Sequence, residues 1–286
     1  MSRLGAIAAF FIAWCSSTLA YAGSPEASDS VLNDPGRRVA IRLHAELGFL
    51  SVLSHRLKLG SDATYVDLRS DLGQDTLFPF GRLSADVDIG RSRQHTVTFL
   101  YQPLNLETQA VSERDLRVED VTFDAGTPLN FRYSFPFYRV SYLYDILPGD
   151  AEVGFGGSLQ IRNARLEYST QDGSTFRGVR DVGPVPVIKF RGRGFVAGNF
   201  WLGGEVDGFY APIRYINGGR SDVEGAILDA SFRAGLAWNY GVDTFLNLRW
   251  IAGGARGTSS DPDPLSDGFN SNWLHFLSVS VGVSLR

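Results

Sequence analysis

At the end of the chain, Leu277, Val279, Val281, Val283 and Leu285 interleave with Ser278, Ser280, Gly282, Ser284 and Arg286. Successive side chains of a strand point to opposite faces, so a period of two builds a sheet with one apolar and one polar side. The alternation recurs from residue 39 onward in ten stretches. The first covers about 38–54, with Val39, Ile41, Leu43, Leu47 and Phe49 on the apolar parity. It is followed by 79–90 (Leu83, Val87, Ile89), 94–103 (Val97, Phe99, Tyr101) and 129–147 (Tyr138, Val140, Tyr142, Tyr144, Ile146). Next are 151–168 (Val153, Phe155, Leu159, Ile161), 182–191 (Ile188, Phe190) and 195–211 (Phe200, Leu202, Val206, Tyr210). The last three are 223–240 (Leu228, Phe232, Leu236), 244–256 (Leu246, Leu248, Trp250) and the terminal stretch.

Short connections rich in Gly, Pro or Asp fall at Gly90-Arg91-Ser92-Arg93, Pro148-Gly149-Asp150, Arg191-Gly192-Arg193-Gly194 and Gly241-Val242-Asp243. Such residues meet the dihedral demands of tight turns. Long polar connections fall near 60–77, 104–128, 169–181, 212–222 and 257–271. Four turns and five loops give ten antiparallel strands with both ends of the chain on the turn side. A further hairpin within 104–128 would make twelve. Ahead of Pro136 the apolar parity is odd (Leu129, Phe131, Tyr133, Phe135) and after it even, which predicts a bulge there. Pro184 and Pro186 lack ladder donors, so the outer end of the sixth strand is expected to be irregular.

The first residues read as an address. Arg3 precedes an apolar run from Leu4 to Trp14, and Ala20-Tyr21-Ala22 offers small residues for cleavage. The division predicted is a secretory signal peptide over 1–22, a short periplasmic segment over 23–37 and a membrane barrel over 38–286. No run is long enough for a spanning helix. Cys15 is the single cysteine, so the mature chain needs no disulfide. Losing Arg3 with the signal leaves 26 basic and 31 acidic residues, a charge of −5 with no nucleic-acid footprint.

Alternation alone does not say which face points outward, since a soluble barrel hides its apolar face inside. Here the polar parity carries Arg42, His44, Glu46, Asp86, Asp88, Arg139, Asp145, Glu152, Arg162, Lys189, Glu205, Asp207, Asp229, Arg233 and Arg249. It also holds Gly154, Gly156, Ser158 and Gly203, small residues suited to a crowded interior. Aromatics gather toward strand ends (Tyr101, Tyr142, Tyr144, Tyr210, Trp238, Tyr240, Trp273), as in interfacial girdles. The fold predicted is all-β, a transmembrane antiparallel up-and-down barrel with its charges facing the lumen.

From signal segment to terminal strand, the chain resembles Gram-negative outer-membrane β-barrel proteins. Those usually end in an alternating strand closed by an aromatic residue that assembly machinery reads. Leu277 to Leu285 matches the alternation, but Phe276 stands further back and the chain closes on Leu285-Arg286. The resemblance implies export to the outer membrane. Its implied partners are outer-membrane lipid and lipopolysaccharide, together with the barrel-assembly machinery acting on the C-terminal strand. It carries no functional residues over.

Candidate chemistry is sparse. His44 and Glu46 share the inward parity and have the types of a base and its orienting partner; mixed charge at this density reads more simply as a salt-bridged lumen. Ser271-Asn272 near His275 invites a hydrolase reading, but His275 lies on the outward parity. The four histidines lack metal-ligand spacing, and Asp261-Pro262-Asp263-Pro264 with Asp267 lacks the glycine of a calcium loop. Gly154-Phe155-Gly156-Gly157 sits inside an alternating stretch with no helix after it, unlike a phosphate loop. No catalysis, metal or cofactor is expected. The lumen charges suggest a narrow path for small polar solutes, with those charges as a selectivity ladder. The alternative is a plugged barrel whose loops 104–128 and 257–271 meet lipopolysaccharide or an external partner, and an outer-membrane hydrolase ranks third.

Overall fold

The computed structural model describes Leu32 and residues 38–90, 92, 94–147, 151–212, 222–258 and 267–286. The expected signal peptide, most of the 23–37 segment, the turn at 148–150 and much of the loops near 212–222 and 257–271 lie outside the described residues. The strands are β1 (Val39–Leu59), β2 (Val66–Asp67), β3 (Leu77–Ile89), β4 (His95–Gln102), β5 (Asn105–Val111), β6 (Leu116–Val118), β7 (Val121–Phe123) and β8 (Pro128–Ser134). They continue with β9 (Phe137–Asp145), β10 (Glu152–Thr170), β11 (Phe176–Ala197), β12 (Phe200–Pro212), β13 (Glu224–Ala237), β14 (Val242–Thr258) and β15 (Phe269–Leu285).

Ten antiparallel staves close into a barrel. β4 runs on as β5, and β8 runs on as β9. The remaining staves are β1, β3 and β10 to β15, and β1 pairs with β15 to close the ring. The hairpin β6–β7 forms a sheet of its own, so the 104–128 segment adds no eleventh or twelfth stave. Instead it folds over the loop end of the barrel. Leu116, Val118 and Phe123 are buried there, with backbone bonds from Glu119 N–H to Leu59 O (2.8 Å) and from Thr64 N–H to Arg117 O (2.9 Å).

Several boundaries differ from the sequence reading. Arg191-Gly192-Arg193-Gly194 lies within β11, and the turn is at Gly198 and Asn199, where Gly198 has a φ of 53°. The expected loop 169–181 shrinks to residues 171–175, because β10 and β11 stay paired from Glu152↔Arg193 to Ser169↔Phe176. There is no bulge at Pro136. Gln102↔Phe137 and Asn105↔Ser134 belong to one register, and odd residues face inward from Leu129 through Ser141. What changes at Pro136 is the interior, which is apolar on the loop side and polar on the turn side. The bulge lies in β1, where the register slips between Val52 and Ser54. Inward residues are even up to Val52 and odd from His55 to Leu59.

The outward face is apolar. Leu47 is 75% exposed, Phe49 61%, Val281 61% and Leu246 59%. Water-soluble monomers do not expose continuous belts of this kind. Pairing of β1 with β15 closes the ring, and a greasy exterior over a charged interior is the arrangement a bilayer selects.

Candidate functional site

The interior is layered along the barrel axis. On most staves the inward residues nearest the turns are polar and those beyond are apolar. β3 reads Asp88, Asp86, Ser84 and Arg82, then Phe80 and Phe78, while β15 reads Ser284, Gly282, Ser280 and Ser278, then Phe276 and Leu274. The polar layer is the densest concentration of chemistry in the molecule.

Its ion pairs cross the barrel. β3 and β12 stand on opposite sides of the ring, yet Arg82 Nη2 reaches Glu205 Oε1 at 2.9 Å. Arg191 on β11 meets Asp86 on β3 at 2.7 Å, and Arg42 on β1 meets Glu152 on β10. Arg139 on β9 bridges Asp207 (3.0 Å) and Asp229 (3.2 Å) on β12 and β13, while donating from Nε and Nη2 to Gln160 Oε1. Lys189 adds Glu205 (3.1 Å) and Asp207 (2.9 Å). Arg249, with no exposed surface, holds Asp229 and also Glu205 at 2.8 Å. Glu46 accepts from Arg233 Nη2 (3.2 Å), Asn247 Nδ2 (2.6 Å) and Ser280 Oγ (2.9 Å). Seven cations (Arg42, Arg82, Arg139, Lys189, Arg191, Arg233, Arg249) thus face seven carboxylates (Glu46, Asp86, Asp88, Glu152, Glu205, Asp207, Asp229), so the layer carries no net charge with which to attract either sign of ion.

Two apolar layers flank this network. On the turn side Trp201 and Phe245 pack at 5.8 Å, and the Arg193 guanidinium lies 4.1 Å from the Trp201 ring centre while pairing with Asp243 at 2.9 Å. Glycines on adjacent staves make room for both rings. A Cβ on Gly282 would stand 2.2 Å from the Phe245 ring, and one on Gly235 2.5 Å from the Trp201 ring. On the loop side Leu50, Val52, Phe80, Leu106, Leu129, Phe131, Tyr133, Phe137, Leu166, Tyr168 and Phe276 form one core, roofed by Leu116, Val118 and Phe123 of the β6–β7 hairpin.

Among the residues singled out from sequence, Arg42, Glu46, Asp86, Asp88, Arg139, Glu152, Lys189, Glu205, Asp207, Asp229, Arg233 and Arg249 meet in this network. Asp145 does not; it accepts from the Leu147 and Val153 N–H groups (2.9 and 3.1 Å) and ties the end of β9 to the start of β10. Arg162 lies in β10, with its side chain outside the described residues. Sequence reading omitted Arg82, Arg191, Arg193 and Asp243. Arg82 shares the inward parity of Asp86 and was legible. The other three were hidden because their segments read as turns.

His44 is half-buried and is oriented by Asp86 rather than by Glu46. Its Nδ1 lies 2.6 Å from Ser284 Oγ and its Nε2 3.5 Å from Asp86 Oδ2. The order is that of a nucleophile, base and carboxylate, but Asp86 is already held by Arg191, Arg42 and the Thr98 hydroxyl (2.6 Å). Ser284 sits in mid-ladder between His44 and Asp243, where the neighbouring N–H groups are committed to strand pairing rather than to an oxyanion. Ser271 and His275 face outward from β15. No cluster of three metal-ligating side chains occurs among the described residues.

Neither a known protein-family profile nor a curated protein sequence matches the chain. Solved structures do resemble it. The outer membrane protease OmpT of Escherichia coli aligns with a TM-score of 0.50 at 12% identity, covering 91% of this chain and 99% of that one. The toluene transporter TodX of Pseudomonas putida aligns with a TM-score of 0.34 at 7% identity, covering 86% and 89%. The fold is that of outer-membrane barrels.

Proposed function

We propose that the protein is an integral outer-membrane barrel with a sealed lumen, serving as a structural or surface-interaction element through its loop end. In this reading residues 1–22 are a cleaved export signal, the short turns face the periplasm and the long loops face outward. The observation that carries it is the set of ion pairs meeting from opposite staves, Arg82–Glu205 and Arg191–Asp86 above all. Side chains that touch across the axis stand in the path of a hydrated solute. Unpairing them in a low-dielectric interior costs several kcal/mol per broken pair, on the order of 3–5.

Outward arginines beyond the apolar belt, among them Arg56, Arg132 and Arg165, support contact with phosphate-bearing lipopolysaccharide, although each also pairs with a neighbouring carboxylate. The passage of small polar solutes is the second reading, and it requires the network to part. Hydrolysis has less support, because Asp86 is already held by Arg191 and Arg42 and Ser284 sits within the ladder between His44 and Asp243.

Planar-bilayer conductance of the refolded chain decides between the first two. A sealed barrel stays silent, and Arg233→Glu leaves it silent. Discrete conductance steps in the wild type, with ion selectivity that shifts in Arg233→Glu, would establish the channel instead.

A further inference from the structure

β11 and β12 pair only from Ala197↔Phe200 to Ile188↔Gly208. Beyond that point, among the described residues, β11 continues to Phe176 with β10 as its only ladder partner, and β12 continues to Pro212 with β13 as its only one. The cause lies in the sequence. Alternate residues of a strand send their N–H groups to the same neighbour. The ladder to β10 is unbroken through Leu159↔Pro186 and Ile161↔Pro184, so the donors these prolines lack are those that would face β12. Pro212 ends β12 without a donor as well. The wall therefore carries a seam on its loop side.

Behind the seam lies a cavity lined by Phe137, Phe209, Ile227, Ile251, Leu274 and Phe276, with Val185 and Pro186 at its edge. It stands level with the outward aromatics Tyr210 and Trp273, because Tyr210, Ala226, Gly254 and Trp273 follow one another across adjacent staves. In this apolar lining, Asn272 is 2% exposed and its Oδ1 has no hydrogen-bond partner among the described residues. A buried acceptor left unpaired is costly, and a ligand donor would satisfy it.

We infer that this chamber is a lateral binding site for a small apolar molecule bearing a single hydroxyl group, which enters from the bilayer between β11 and β12 and donates to Asn272. The apolar body matches the aromatic and aliphatic lining, and the one hydroxyl matches the one orphan acceptor. The inference goes beyond the sealed axis and does not depend on it, since the seam opens sideways above the ion layer.

The test is photolabelling of the full chain in nanodiscs with a diazirine-bearing 1-octanol, and in parallel with a phospholipid carrying the diazirine in its acyl chain. Labels from the alcohol are expected on Phe209, Ile227 and Leu274, and unlabelled 1-octanol should compete them away. Asn272→Leu should weaken that competition about tenfold, the worth of one buried hydrogen bond, while competition by octane stays unchanged. Ile227→Trp, which fills the chamber, should remove the inward labels but keep those on outward Ile188 and Tyr210. Ala255→Phe provides the same test should Ile227→Trp fail to fold. Labels confined to Ile188 and Tyr210 would overturn the site. Octane competing as well as 1-octanol would overturn the donor requirement. Labelling of Phe209 and Ile227 by the phospholipid would show that the bilayer's own chains fill the chamber, and would overturn a hydroxyl-bearing ligand. Conductance plays no part in any arm, so a failure here leaves the sealed-lumen reading standing.

Discussion

At the scale of single residues, stability is concentrated where charge is buried. Arg249 is enclosed completely and is shared by Asp229 and Glu205. Arg249→Leu leaves both carboxylates short of a partner, and the expected loss is on the order of 3–5 kcal/mol. Arg233 is partly exposed and keeps access to water, so Arg233→Leu should cost less. Equilibrium urea unfolding from lipid vesicles checks the ranking, and equal losses would contradict it. A different carboxylate acts outside the membrane. Burial works to raise the Asp267 pKa, but the Ser61 hydroxyl and the N–H groups of Ser61 and Phe269 outweigh it and hold the group below its ordinary value. A depressed folded pKa contributes stability that is present above the unfolded value and lost as pH falls through the folded one. The clamp on Ser61 should therefore survive mild acid and release only below the ordinary Asp range. A carboxyl NMR titration of Asp267 reads this directly, and a midpoint at or above the ordinary value would contradict it.

At the scale of elements, the strands were legible wherever one face was apolar and the other polar. β15 and the turn-side halves of β1, β3 and β9 could be read residue by residue. The reading failed where both faces are apolar, because the period-two signal then vanishes. Leu129 to Phe135 looks like a phase change, yet those residues face inward as Arg139 does; only the interior had turned greasy. It failed again at Arg191 to Gly194, where alternating Arg and Gly looks like a turn although the arginines fill the lumen. The true phase change, at Leu53 in β1, had no sequence mark of its own. It lets His55, Leu57 and Leu59 face inward beneath the hairpin. Deleting Leu53 removes the extra residue and restores plain alternation, with Val52 and His55 both still inward, so the seat of β6–β7 is kept. Trypsin should then cleave at Arg114 and Arg117 no faster than in the wild type, and faster cleavage would mean that the hairpin's seat depends on the bulge itself. Gly282→Val drives Phe245 off β15, and heat-induced mobility shifts on gels should show a lower unfolding temperature than for Ser280→Val, which removes one hydroxyl bond to Glu46 but displaces no ring.

At the scale of the whole molecule, the proposed sealed lumen rests on two barriers in series along one axis. In that proposal the hairpin and the apolar core close the loop end, and the neutral ion network closes the middle. They rest on different physics: the upper seal on burial of Leu116, Val118 and Phe123, the lower on pairing across the ring. Neither depends on the other's contacts. Replacing residues 116–123 by a short glycine-serine linker should therefore leave the barrel folded and electrically silent. Converting Arg82 and Glu205 together to Ser removes a pair that meets across the ring while keeping the layer neutral, and it too should stay silent beneath an intact roof. Only the combination opens a continuous wet path. Single-channel recording in planar bilayers should then show steps in the combined variant and none in either parent. Conductance from the linker variant alone would place the entire barrier at the loop end and reduce the ion network to a mechanical brace.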